Sequence, residues 1–274
     1  MKLIHMSDIH LTTPGETIGG RDPVANFDAA LRHAIAHHAD AELLVITGDL
    51  SDWGDRDDYQ RLKARLADVA LPVRLLIGNH DSRPNFLAEF PEGDDGAGFV
   101  QGTHDVSAGR CLFLDTTEPG THAGRYCARR RAWLEARLAE CDGPFFLFLH
   151  HNPIPTHIGP LDQIGLQDDG IFRDIVARHA AKIRHIFFGH CHLPIAGSTA
   201  GVPTTSLRGT NHASYPNFAE RELLSGADLP EAYGVAFVGR DYVTVHMIEY
   251  GYRGTVRVAG SPEYATWDRA KIKR

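Results

Sequence analysis

Five short segments of the chain carry side chains that bind metal ions, and each segment follows an apolar run. They contain Asp8 and His10, Asp49, Asn79 and His80, His150 and His151, and finally His190 and His192. Carboxylate, amide and imidazole groups are ligands for transition metals, and this set has enough oxygen and nitrogen donors for two ions. Two metal ions in one site indicate hydrolysis of a phosphate ester.

The apolar runs before these segments predict the elements that position them. Residues 2–6, 43–47, 73–77, 145–149 and 185–188 are short, apolar and bounded by turn residues, which is typical of buried strands in a largely parallel sheet. Open α/β sheets hold their sites at the carboxyl ends of the strands. We therefore expect one sheet edge to present all five segments.

Helices are predicted between the strands, and further strands follow in the second half of the chain. Asp22 is a suitable N-cap with Pro23 at the first helical position, and residues 57–69, 83–90, 129–141 and 171–181 have helical spacing. Antiparallel strands are predicted at residues 98–106 and 110–115, 195–198 and 203–207, and 235–238 and 242–248. This order predicts an α/β fold with two packed sheets flanked by helices.

The spacing within two of the segments suggests shared ligation. Residues i and i+2 of an extended strand point the same way, so Asp8 and His10 could reach one ion, and so could His190 and His192. Asp49 follows Gly48, which permits a tight turn, and its two oxygens could bridge two cations. Each segment alone has an ordinary explanation as a cap, turn or solvated loop. Their joint order, each at a strand end, makes those explanations improbable.

The order Asp-x-His, Gly-Asp, Gly-Asn-His-Asp, His and Gly-His-x-His resembles the calcineurin-like metallophosphoesterase superfamily. The resemblance covers residues 1–210 and is strongest to the class III cyclic-nucleotide phosphodiesterase and glycerophosphodiesterase branch. It implies a four-layer αββα sandwich of two mixed sheets, with a dinuclear metal site at the strand ends. Asn152 departs from the superfamily pattern, which often has proline after His-His.

The resemblance also implies roles for individual residues. One ion would be held by Asp8, His10, Asp49 and His192, and the second by Asp49, Asn79, His150 and His190. The ions would be Mn, Fe, Zn or Co. His150 is preferred to His151 because it directly follows its strand. His80, Asn79 and Asp49 are the expected catalytic residues, with His80 protonating the leaving oxygen after in-line attack by metal-bound hydroxide.

The expected substrates are small phosphodiesters: 3′,5′-cyclic nucleotides, glycerophosphodiesters, or alkyl and aryl diesters. His80, Asn79, His212 and Arg21 are the candidate substrate contacts. A phosphomonoesterase, a pyrophosphatase and a non-catalytic metal-binding scaffold of the same superfamily remain alternatives. A Ser/Thr protein phosphatase is disfavoured, because Asp52 is followed by Trp53 where that class has arginine.

Composition narrows the setting. The 274 residues carry a net charge of −7, and no long basic run is present, which disfavours a nucleic-acid polymer as the partner. No apolar run approaches the ~18–20 residues that span a bilayer. The N-terminus lacks the pattern of a signal peptide, and the four cysteines form no CxxC pair, so a cytoplasmic protein with reduced thiols is expected.

The chain is expected to form one compact domain with two parts. Residues 1–210 would be the catalytic core, and residues 211–274 a C-terminal extension that completes the sheet and contributes to a lid or an oligomer interface. Residues 211–233 are polar and rich in turn residues, as in a lid-like loop. A homodimer or a larger homo-oligomer is expected from the resemblance.

Overall fold

The computed structural model describes residues 1–257 and Ala270, and it contains two large β-sheets. The first sheet has the strand order β13-β12-β1-β2-β3. Its strands are β1 (Lys2–Met6), β2 (Leu43–Thr47), β3 (Val73–Leu76), β12 (Tyr233–Val238) and β13 (Val243–Ile248). Strands β1, β2 and β3 are parallel, whereas β12 runs antiparallel to β1.

The second sheet has the strand order β4-β5-β6-β7-β9-β8. Its strands are β4 (Gly102–Val106), β5 (Gly109–Leu114), β6 (Phe145–Leu149), β7 (Ile183–Phe188), β8 (Ile195–Thr199) and β9 (Val202–Ser206). Strands β5, β6, β7 and β9 are parallel, and β4 and β8 are antiparallel at the two edges. A two-stranded ribbon, β10 (Ala213–Ser214) and β11 (Gly226–Ala227), lies outside both sheets.

Within residues 1–257, six α-helices connect the strands. They are α1 (Pro23–His37), α2 (Arg56–Leu66), α3 (Arg83–Glu89), α4 (Ala128–Ala139), α5 (Gly159–Ile164) and α6 (Asp169–Arg178), with a 3₁₀ turn at Pro91–Gly93. Asp22 caps α1 by accepting a hydrogen bond from the Ala25 N–H at 3.0 Å, and Pro23 occupies the first turn. Both features agree with the sequence prediction.

The core divides into three apolar layers because adjacent residues of a strand face opposite sides of the sheet. Ile4 packs under α1 with Phe27, whereas its neighbour Leu3 packs between the two sheets with Phe148. On the far side, Phe145 packs against Leu134 of α4. The order of layers is helix, sheet, sheet, helix, and the predicted αββα sandwich is confirmed.

The start of β4 differs from the sequence prediction, and α4 buries a charged side chain. The strand predicted from residue 98 begins at Gly102, because Asp94 and Asp95 form turns that accept the N–H groups of residues 96–99. Trp133 of α4 is only partly buried, while Arg130 faces inward. Its guanidinium donates to the carbonyl oxygens of Asp115 and Thr117, which satisfies the buried charge.

The segment after residue 210 supplies β12 and β13 to the first sheet. The last part of the predicted C-terminal extension, residues 258–269 and 271–274, lies outside the described residues. Within the described part of the chain, no helix has the length and apolar character needed to cross a bilayer.

Candidate metal centre

The five ligand segments lie together at the carboxyl ends of five parallel strands, three from one sheet and two from the other. Asp8 and His10 follow β1, Asp49 follows β2, and Asn79 follows β3 in the first sheet. His150 follows β6, and His190 and His192 follow β7 in the second sheet. The site therefore spans the junction of the two sheets, and the expectation that a single sheet edge presents all five segments is wrong.

One group of donor atoms brings together Asp8, His10, Asp49 and His192, whose ligand atoms all lie within 4.8 Å of one another. His192 Nε2 is 3.4 Å from Asp8 Oδ1, and His10 Nε2 is 3.6 Å from Asp49 Oδ2. The two imidazole Nε2 atoms of His10 and His192 approach to 3.2 Å. All four residues are buried. This is the set that the sequence assigned to one ion.

A second group shares Asp49. Its Oδ2 lies 3.3 Å from His150 Nε2, and Asn79 Oδ1 lies 3.1 Å from the same nitrogen and 2.8 Å from His190 Nδ1. His151 is close enough to His150 and His190 to be a further ligand. Its ring nitrogens are engaged elsewhere, however, with Thr116 Oγ1 at 2.7 Å and the His122 carbonyl oxygen at 3.2 Å.

The ligand residues have an unusual backbone. Among the described residues, seven non-glycine positions have positive φ, and five of them are Asp8, His10, Asp49, His190 and His192. The expectation that Asp8 and His10 pair through an extended strand is therefore wrong, as is the same expectation for His190 and His192. Each of these five residues adopts the left-handed region, a strained conformation that clusters at functional sites.

Two glycines allow the close approach. A Cβ on Gly48, where φ is 93°, would lie 2.6 Å from His150 Nδ1. A Cβ on Gly78 would overlap Asp49 Oδ1 and lie 2.6 Å from the Asp49 backbone nitrogen. The loops after β2 and β3 can therefore meet only where both positions lack a side chain.

The histidines of the site differ in the direction in which their pKa values are shifted. Burial alone would raise the pKa of Asp49, but the neighbouring His150 outweighs it and holds that pKa well below its ordinary value. Burial opposes charging of His150, yet Asp49 raises its pKa to about 9. Burial and the nearby His150 lower the pKa of His190 to about 3. Neutral imidazoles such as His190 keep a lone pair for a metal ion.

His80 lies beside His10, and together with Asp52 these residues form a further group that could hold a metal ion. Its ring centroid is 4.7 Å from that of His10, and its Nδ1 donates to the Asp52 carbonyl oxygen at 2.9 Å. The Asp52 carboxylate in turn accepts a 2.8 Å hydrogen bond from His10 Nδ1. Asp52 therefore holds the rings of both His10 and His80 through their Nδ1 atoms. The Nε2 atom of each ring can then face the site.

Of the two other predicted substrate contacts, His212 lies at the site. Its ring centroid is 4.2 Å from that of His192 and 4.9 Å from that of His10. Burial and the nearby His192 lower its pKa to about 2. Arg21 is instead engaged by the Glu231 carboxylate and donates to the Leu229 carbonyl oxygen at 3.1 Å.

Sequence reasoning missed three residues of the site. Asp52 orients His10, and the buried Asp81 accepts backbone N–H groups from Leu50 and Ser51, which fixes the loop that carries Asp49. His122 bonds the Asn79 Nδ2 through its Nδ1 at 2.8 Å. Asp52 and Asp81 lie three and two residues beyond Asp49 and Asn79. His122 has no local sequence signal and is brought in by the loop after β5.

These residues fit metal ions. Asp8 Oδ2 is buried and has no hydrogen-bond partner within the described residues. Leaving such an atom unpaired is costly, and metal coordination would satisfy it. The mixture of carboxylate, imidazole and amide donors suits first-row transition metals.

Comparison with known proteins agrees with this geometry. The family model for calcineurin-like phosphoesterases matches residues 1–194. A Rhodopseudomonas palustris protein named "Probable cyclic nucleotide phosphodiesterase" is 33% identical over 93% of this chain and 94% of its own length. A 3′,5′-cyclic adenosine monophosphate phosphodiesterase of Pseudomonas aeruginosa is 30% identical over 69% of each chain.

Two further similarities concern another activity name and the fold. A glycerophosphodiester phosphodiesterase of Enterobacter lignolyticus is 30% identical over 70% of this chain and 71% of its own. A dimetal phosphatase structure from Danio rerio superposes with a TM-score of 0.68 at 16% identity, covering 91% of this chain and 96% of that one. The matches of sequence, ligand order and fold show that this chain belongs to the calcineurin-like phosphoesterase family.

Proposed function

We propose that this protein hydrolyses small phosphodiesters with the help of two bound transition-metal ions. The observation that carries the proposal is the position of Asp49. Its Oδ2 lies 3.6 Å from His10 Nε2 and 3.3 Å from His150 Nε2, so one carboxylate faces both donor groups. Two adjoining metal positions of this kind suit the displacement of an alcohol from phosphorus.

Each donor group accounts for one ion. Asp8, His10, Asp49 and His192 would hold the first, and Asp49, Asn79, His150 and His190 the second. Mn, Fe, Zn and Co are all compatible with these ligands. When bound, the ions would lower the pKa of water and neutralise charge on the phosphate oxygens.

The protein's own groups would position the substrate and move the proton. His80 donates its Nδ1–H to the Asp52 carbonyl oxygen, so its Nε2 is the atom that can give a proton to the leaving oxygen. Asn79 turns Oδ1 toward His150 and His190 and one amide hydrogen toward His122. Its other amide hydrogen remains available to a phosphate oxygen.

His212 is the better of the two remaining substrate contacts. Its ring lies against the rings of His10 and His192, and an uncharged imidazole can donate one N–H to the substrate. Arg21 would have to leave Glu231 to reach a phosphate. We therefore rank Arg21 below His212 as a candidate substrate contact.

The names of the similar proteins favour diesters over monoesters, and cyclic nucleotides and glycerophosphodiesters are both represented. The test is a kinetic panel on the Mn-reconstituted protein with cyclic AMP, a glycerophosphodiester, an aryl diester, a pyrophosphate and a phosphomonoester. We expect the highest kcat/KM on a diester. Asn79→Ala serves as the control that removes one ligand. Preference for the monoester or the pyrophosphate would overturn the proposal.

Metal analysis of the same sample separates an enzyme from a scaffold. We expect up to two transition-metal ions per chain and activation by added Mn. Less than one tightly bound ion per chain, together with no activation, would indicate a non-catalytic relative.

We further propose that residues 211–257 support a homodimer or larger homo-oligomer. Within residues 1–257, the loop between β10 and β11 exposes Phe218, Leu223 and Leu224, an apolar surface of the kind that a second copy could cover. Light scattering coupled to size exclusion would decide, and a monomer at micromolar concentration would exclude a stable assembly.

A further inference from the structure

Trp53 is a large, solvent-exposed aromatic side chain on the loop that carries Asp52. It is 76% exposed, although tryptophan usually buries most of its surface. It directly follows Asp52, whose carboxylate bonds His10 and whose carbonyl oxygen bonds His80. Within residues 1–257, no aromatic ring stacks on its indole and no acceptor bonds its indole N–H.

The backbone under Trp53 is fixed. Ser51 Oγ accepts the N–H groups of Trp53, Gly54 and Asp55 at 3.3, 2.8 and 3.2 Å, and the same hydroxyl donates to the buried Asp58 at 2.6 Å. The loop also lies close to the segment that carries His80, because a Cβ on Gly54 would be 2.7 Å from the Ser82 nitrogen. Trp53 is thus carried on a hydrogen-bonded loop whose backbone lies against the segment of His80.

A rigid, exposed aromatic surface next to a phosphate-binding centre suits a planar group on the substrate. Bases stack on aromatic side chains with little dependence on base identity, because every base has a π face. Since the backbone is already ordered, stacking would restrict only the rotation of one side chain. Trp53 directly follows Asp52, whose carbonyl oxygen holds His80, the proposed donor to the leaving oxygen.

We propose that Trp53 is the stacking platform for the base or aryl group of the substrate and makes the enzyme selective for phosphodiesters that carry such a group. This inference rests on the proposed diesterase function, and it selects nucleotides and aryl diesters over glycerophosphodiesters. A second exposed aromatic, Tyr215, directly follows Ser214, whose N–H bonds the His192 carbonyl oxygen. It is the alternative platform.

The test compares Trp53→Ala, Trp53→Phe and Tyr215→Ala on cyclic AMP and on a glycerophosphodiester. Trp53→Ala should lower kcat/KM for cyclic AMP by about 5- to 150-fold, the loss expected for one stacked base. It should change kcat/KM for the glycerophosphodiester by less than about 2-fold, and Trp53→Phe should retain most of the selectivity. Tyr242→Ala is the matched control, because Tyr242 is also exposed but lies in the β12–β13 turn, beside the start of β1.

Binding measured without turnover keeps the two proposals distinguishable. AMP should quench the tryptophan fluorescence of the wild-type protein, and the difference from Trp53→Phe assigns the quenching to Trp53. Equal losses on both substrates, a loss confined to Tyr215→Ala, or quenching unchanged in Trp53→Phe would each overturn the stacking role. A wild-type protein that cleaves no diester but shows the Trp53-dependent quenching would overturn the diesterase function alone.

Discussion

His10 and His80, both held by Asp52, show how two neighbouring imidazoles can take different roles in the same site. His80 Nδ1 is fixed on the Asp52 carbonyl oxygen, and His10 Nδ1 is fixed on the Asp52 carboxylate. Both rings therefore face the centre through Nε2. His10 Nε2 meets the other ligands, whereas His80 is about a third exposed and open to a substrate. The first can bind an ion, and the second can exchange a proton.

His80→Ala is expected to keep the metal content and lose turnover selectively. Removing a general acid costs on the order of 10²- to 10⁴-fold when the leaving alcohol is a poor one, and much less when it is an acidic phenol. The measurement is kcat for an alkyl diester and for a nitrophenyl diester, with metal content determined on the same sample. Unchanged kcat on the alkyl diester would contradict the role of His80 as the proton donor to the leaving oxygen.

Asp52→Asn is expected to weaken metal binding without removing a ligand. The amide cannot supply the carboxylate that holds His10, and loss of such an orienting partner typically costs 10- to 100-fold in metal affinity or activity. Titration of the metal-free protein with Mn would measure the change. Asp55→Asn is the matched control, because the Asp55 side chain is exposed and makes no capping hydrogen bond. Equal affinities for the two variants would contradict the role of Asp52.

At the scale of the elements, the site depends on loops that meet where two glycines lie. The loop after β2 carries Asp49, and the loop after β3 passes over it at Gly78. The buried Asp81 ties these loops together by accepting N–H groups from Gly78, Leu50 and Ser51. Burial and the nearby Asp49 raise the pKa of Asp81 to about 6.

Gly78→Ala is expected to displace Asp49 and reduce activity by about 100-fold, the loss typical of a misplacement near 1 Å. The added methyl group would overlap the Asp49 carboxylate, so one of the two loops must move. Gly102→Ala is the control, since a Cβ at that position meets nothing within 4 Å. The comparison of kcat/KM decides, and similar values for both variants would show that the loop contact is not required.

The sequence predicts the strands themselves, but it does not predict the backbone conformation at their ends. Apolar runs bounded by turns identify β1, β2, β6 and β7, because burial on both faces requires such runs. The run of β3 is also recognisable, although this edge strand is only partly buried. The left-handed backbone of Asp8 and His10 was not predictable, since only the surrounding structure can hold non-glycine residues there. The same holds for His122, which contacts Asn79 from 43 residues away and follows no pattern in the sequence.

For the whole molecule, the interface between the two sheets contains an unexpected polar pair. His5 of β1 and His185 of β7 are buried against Phe187, with ring centroid distances of 5.6 and 4.4 Å. Each ring makes one hydrogen bond, His5 to Thr47 Oγ1 and His185 to Thr205 Oγ1, both at 2.8 Å. Burial lowers the pKa of each imidazole to about 4, so both are neutral in the folded protein at neutral pH.

Because of these two histidines, we expect the protein to lose stability as the pH falls from about 6.5 to about 4. In that window the unfolded chain binds protons at both positions and the folded protein does not, so the free energy of unfolding falls as the pH falls. Each group contributes on the order of 1 kcal/mol per pH unit within the window. His185→Gln keeps an amide near Thr205 but cannot titrate, and it should therefore flatten this dependence. Urea unfolding of metal-free wild-type and variant proteins at pH 4.5, 5.5 and 7 measures the slope, and parallel curves would show that His185 is protonated in the fold or does not contribute.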